Sequence, residues 1–135
     1  MEKESDAQIL ALSSLSRSLL QQGKIVEAQQ AVAKANGLSA KSSDVATRLV
    51  FEIDSAHVLA AAKDFSGAER LARGALAEAI KLGFVHTRFQ ASLALGEIQM
   101  MGRNSAAGRV LLQQVAKDAR TKGFVLIARE ASGAN

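Results

Sequence analysis

Gly83-Phe84-Val85-His86-Thr87-Arg88-Phe89 is the stretch on which the fold turns, because pieces of it recur forty positions away in both directions. Upstream, Val45-Ala46-Thr47-Arg48-Leu49 aligns with Val85 to Phe89; downstream, Gly123-Phe124-Val125 aligns with Gly83 to Val85. Laid on itself at this shift, the sequence keeps register without a gap, and Ala91-Ser92 falls on Ala131-Ser132. Identity is low elsewhere, but chemical type holds: Ile53 meets Leu93, Val58 meets Ile98, Leu71 meets Leu111 and Ala79 meets Ala119. Small residues repeat as well, at Ser16, Ala56 and Gly96 and, twelve positions after each, at Ala28, Ala68 and Gly108.

Each forty-residue unit reads as two helices. First helices are expected at about 5–22, 43–62 and 85–101, with apolar residues at three- and four-residue steps such as Leu49, Ile53, Ala56 and Ala60. Second helices are expected at about 25–36, 66–82 and 105–122. Ser66 followed by Glu69 has the form of a capping box, Ser43 and Ser105 are candidate N-caps, and Gly83, Gly102 and Gly123 stand where a left-handed C-terminal residue is wanted. Phe84 and Phe124, each just after such a glycine, are placed to fold back on the preceding turn. Gly67, Gly74 and Gly108 fall inside second helices, where close packing is the expected reason for them. The loosest stretch is 37–42, and both termini are expected to fray. These features predict an all-α superhelix of three antiparallel helix pairs plus a short C-terminal capping helix. It forms a single domain over 1–135, with units at about 5–42, 43–82 and 83–122 and the cap at 124–132.

Composition agrees. The 135 residues contain no Pro, no Trp, no Tyr and five Phe, so the core must be built from Ala and aliphatic side chains. The lack of Cys removes disulfides and thiolate metal sites and fits a cytoplasmic setting. No apolar run approaches membrane-spanning length, and MEKESDAQIL lacks the form of a secretory signal. The net charge of +4 is scattered along the chain rather than gathered in a stripe with aromatics, so nucleic acid is not an expected partner.

Helix pairs with a small residue midway along the first helix and another twelve positions later resemble tetratricopeptide (TPR) repeats in a forty-residue spacing. The resemblance covers nearly the whole chain. It departs at the signature Trp and Tyr of the first helix and the Pro closing the second, which leaves HEAT-like and other helical-hairpin arrays as alternatives. The stretches Leu82-Gly83-Phe84, Ala94-Leu95-Gly96 and Lys122-Gly123-Phe124 also resemble C-terminal repeat segments of large bacterial multidomain signalling and regulatory proteins, which implies a fragment of a longer chain.

The resemblance implies a concave face lined by first helices. By phase with the small positions, Arg17, Gln21, Val50, Asp54, His57, Gln90, Glu97 and Met101 are expected to look into it, with Arg17, His57 and Glu97 at one repeat position. Such a surface suits a peptide, a helix or a neighbouring domain of the parent chain. The expected function is therefore a protein-interaction scaffold, not an enzyme, with no cofactor and no metal; self-association into a homodimer is a further expectation. The alternative is a regulatory repeat that senses a small ligand and controls oligomerisation. Asp54 and His57, three residues apart, would suit a base and its orienting carboxylate, but no third partner or second His stands at matching spacing, so an exposed groove histidine with a local hydrogen bond is expected. Neither GxGxxG nor GxxxxGK[ST] occurs. Arg48 and Arg88 repeat near the starts of first helices, where an inter-helix tether or a solvated side chain is preferred to anion binding. Met100 and Met101 are read as core filling before partner contact.

Overall fold

A computed structural model describes residues 2–39 and 44–133. Its seven described helices are α1 (Glu2–Gln21), α2 (Ile25–Ser39), α3 (Val45–Ala61), α4 (Phe65–Leu82), α5 (Val85–Met101), α6 (Ser105–Thr121) and α7 (Val125–Gly133). No strand is found among the described residues. The array is an all-α helical repeat, with α1/α2, α3/α4 and α5/α6 as hairpins and α7 as the start of a fourth unit.

Most expected helix limits agree within a residue or two; α1 begins three residues earlier than expected, at Glu2, and the other exception is α2. It runs through Gly37 to Ser39, three residues assigned above to a loose connection. The reason is tertiary: Leu38 and Val32 pack against the buried cluster of Ile9, Ala35 and Phe51, and burial of an apolar side chain outweighs the helix penalty of one glycine. The rest of that connection, with the proposed cap Ser43, lies outside the described residues, as does the end of the expected C-terminal fray at 134–135.

The caps differ in detail. Asp44 caps α3, its carboxylate accepting the Thr47 N–H at 3.3 Å. Asp64 caps α4 by accepting the Gly67 N–H at 3.0 Å, so the Ser66/Glu69 box does not form; Glu69 instead accepts from Asn104 at 3.0 Å and lies 3.6 Å from Arg73. Asn104 stands at the N-cap of α6, and Ser105 is already helical. Aspartate wins at α3 and α4 because an ionised acceptor also answers the positive end of the helix.

Turns repeat with the same period. Phe84 donates to the Ala79 carbonyl at 2.9 Å and Phe124 to that of Ala119 at 2.8 Å, while Gly83 and Gly123 hold φ of 73° and 86°. Those are the six-to-one bonds and left-handed residue of a Schellman turn. Gly23 and Lys63 carry the same turn inside the first two hairpins, with φ of 77° and 70° and bonds from Lys24 to Leu19 and from Asp64 to Leu59. Gly102 breaks the series: its φ is −103°, so the left-handed conformation expected there is absent. Glycine is wanted at 102 for space instead, since a Cβ would sit 3.2 Å from that of Phe65.

Packing places every small repeat position in the core. Ser16, Ala28, Ala56 and Ala68 are fully buried, and Gly96 and Gly108 are buried beside each other. Second helices bury one narrow stripe, such as Ala68, Ala72, Ala75 and Ala79 in α4. First helices are enclosed on more sides: α5 buries nine residues between Phe89 and Gln99. The cause is position. Besides its hairpin partner, each first helix packs against the next first helix, α1 on α3, α3 on α5 and α5 on α7, whereas among the described residues the backbones of α2, α4 and α6 stay more than 8 Å apart, Cα to Cα. The stack is drawn together on the first-helix side and splayed on the other.

Candidate functional site

Where the first helices draw together they leave a pocket of about 190 Å³ lined by Arg17 of α1, Val50, Ile53, Asp54 and His57 of α3, Gln90, Leu93 and Glu97 of α5, and Ile127 and Glu130 of α7. Six of the eight residues picked from the sequence meet here: Arg17, Val50, Asp54, His57, Gln90 and Glu97. Gln21 and Met101 do not. Both sit at the last residue of their helices and are exposed, one turn beyond the wall that the others form.

Two lining residues were missed from α7, although the period contains one of them. A step of forty from Val50 gives Gln90 and a second step gives Glu130. Treating the last helix as a cap hid that continuation. Ile127 lies three residues earlier on the same helix and is buried.

The charges are set by burial. Arg17 Nη1 donates to Asp54 Oδ1 at 3.1 Å, an ion pair in which Asp54 is 12% exposed and Arg17 43%. Removal from water pushes the Asp54 carboxyl above its usual range, and Arg17 pulls it back only in part. The buried Ser13 hydroxyl adds a smaller pull in the same direction while standing outside hydrogen-bonding geometry. Burial also raises Glu97; Arg17 opposes that rise and Glu130 adds to it. His57 is pushed down to about 3, first by burial and then by the adjacent Arg17, and is a neutral imidazole at pH 7.

The Asp54–His57 pairing contemplated from the spacing is absent: Asp54 turns to Arg17, and the His57 side chain makes no hydrogen bond to any described residue. The local hydrogen bond expected for His57 is therefore not made, and its side chain is half-buried rather than exposed. Among the described residues no group of three or more His, Cys, Asp or Glu could hold a metal ion. Arg48 bonds Glu78 of α4 at 2.6 Å and so ties α3 to α4; Arg88 lies 4.7 Å over the Phe89 ring. Met100 packs into the core with Phe89 and Leu112, and Met101 is 55% exposed. No described helix is long and apolar enough to cross a membrane.

No protein-family model matches the chain, and no curated protein or solved structure shows significant similarity to it.

Proposed function

We propose that this chain is a TPR-like interaction domain that grips a segment of another protein, or of its own parent chain, along the face made by α1, α3, α5 and α7. The observation that carries the reading is convergence: one register position, occupied by Arg17, His57 and Glu97, reaches a single pocket from three successive repeats. The forty-residue period, the buried small pairs and the closer approach of the first helices support the family likeness and a concave first-helix side. A cytoplasmic domain without cofactor or chemistry fits the lack of Cys and the uncoupled Asp54 and His57.

Size favours a partner segment over a metabolite. Small-molecule sites usually run to about 300–1,000 Å³, and this pocket, at about 190 Å³, is the scale of one inserted side chain.

Photo-crosslinking tests the assignment of the face. A benzophenone amino acid in place of Val50 or Gln90 should capture a partner in lysate of the native host, while the same residue in place of Val110, exposed on α6, should not. Capture should fall when Arg17, His57 and Glu97 are changed to Ala. Equal capture from position 110, or capture indifferent to the three changes, refutes the first-helix face.

A further inference from the structure

We propose that the first-helix pocket is an anchor site for a basic side chain, a guanidinium or ammonium carried by the bound segment; this rests on the interaction reading above and names the chemistry of the residue inserted.

Charge balance is the first argument. The pocket holds one cation, Arg17, and three carboxylates, Asp54, Glu97 and Glu130. With His57 neutral the formal sum is one minus three, or −2, inside a chain whose net charge is +4. Arg17 is committed to Asp54 at 3.1 Å. Glu97 and Glu130 therefore approach from α5 and α7 with no ion pair to any described residue, and the nearby Glu130 disfavours the charge of Glu97. Two like charges brought together beside apolar walls are destabilising for the fold alone, and a cation placed between them removes that cost.

Shape supplies the second argument. Val50, Ile53, Leu93 and Ile127 line the same pocket as the carboxylates. Lysine and arginine have this pairing of needs, an apolar stem along hydrocarbon and a charged head on an acceptor. The free imidazole of His57 offers an acceptor nitrogen beside the carboxylates. A guanidinium fits best, because its fan of donors can serve two carboxylates at once.

The test uses the full chain and defined probes. In amide-resolved NMR, N-acetyl-arginine methylamide at millimolar concentration should give saturable shifts confined to residues around Asp54, Glu97 and Glu130. The neutral isostere N-acetyl-citrulline methylamide should give none. The double variant Glu97→Gln, Glu130→Gln should weaken the arginine probe by about tenfold or more; because it removes repulsion, it should also keep or raise the melting temperature, so loss of binding cannot be loss of fold. Shifts equal for citrulline, or unchanged in the double variant, overturn the proposal.

A peptide-display selection on the same chain separates this inference from the function it rests on. Selected peptides should map to the first-helix face and share a Lys or Arg. Peptides that map there without a shared basic residue overturn the basic anchor and leave the interaction reading intact. Failure to select any peptide for that face overturns both. Spermidine occupying the pocket more tightly than any selected peptide overturns the protein side chain in favour of a free polyamine.

Discussion

A Cβ built on Gly108 would lie 2.7 Å from the carbonyl oxygen of Gly96. These two residues, twelve apart in sequence, face each other across α5 and α6, and a Cβ at either meets an obstacle of a different kind. At Gly96 the obstacle is the Leu112 side chain, at 2.7 Å; at Gly108 it is backbone, the Gly96 oxygen and the Met100 nitrogen at 2.9 Å. Side chains rotate and backbone does not. Gly108→Ala should therefore destabilise by about 1–3 kcal/mol, the range for overpacking, despite alanine's better helix propensity, and Gly96→Ala should cost less. Urea unfolding of the two variants checks the order.

Gly74 lies inside α4 with open space where its Cβ would be, so close packing does not explain it. Gly74→Ala should stabilise by about 0.5–1 kcal/mol, the ordinary gain of a helix interior. A loss of stability in thermal unfolding would mean that the α4 surface here is covered.

Lys63 occupies the left-handed position that Gly23 holds one repeat earlier, with φ of 70°. A residue with a Cβ in that region costs roughly 1–2 kcal/mol. Set against the added chain entropy of glycine, Lys63→Gly should raise stability by about 0.5–1 kcal/mol. Gly83→Ala, at φ 73°, should lower it by a similar amount.

Arg17 and Asp54 join α1 to α3 across the pocket. Arg17→Met leaves the carboxylate buried without its cation. A fully buried pair would lose 3–5 kcal/mol, but Arg17 is 43% exposed, and solvent screening reduces the expected loss to about 1–2 kcal/mol at pH 7. Adding Asp54→Asn to that variant should recover most of the loss. If the double variant is no better than Arg17→Met, the charge of Asp54 is not what Arg17 compensates.

The period made the architecture legible, because each hairpin must bury the same stripe and so reuses the same small positions; Ser16, Ala56 and Gly96 could be placed in the core from spacing alone. The pocket wall followed from the same phase. What the sequence hid is three-dimensional. Asp64 displaced the Ser66 cap because a carboxylate two residues upstream starts the helix earlier, on the Gly67 N–H. Asp54 turned to Arg17, thirty-seven residues away, since an ion pair to a cation outweighs a neutral imidazole three residues along. Gly102 is small because of Phe65, a neighbour that no local pattern contains.

His57 gives the pocket a signature in acid. Its folded pKa of about 3 stands below the ordinary 6.5, so between those values the unfolded chain binds the proton more readily than the folded one. The contribution to stability is fully present above pH 6.5 and is lost as pH falls toward 3. Asp54 and Glu97 run the other way: their raised folded pKa values give stability that is present at low pH and lost as pH rises through those values. Total stability against pH thus mixes opposite slopes. The difference between the native chain and His57→Gln cancels the carboxylates, which both proteins share, and isolates the imidazole. That difference should be level above about pH 7 and should then move in the variant's favour on acidification by up to about 1.4 kcal/mol per pH unit. Urea midpoints measured at half-unit steps from pH 8 to 4 read it directly. A level difference throughout would mean that burial does not hold the folded imidazole below its ordinary range.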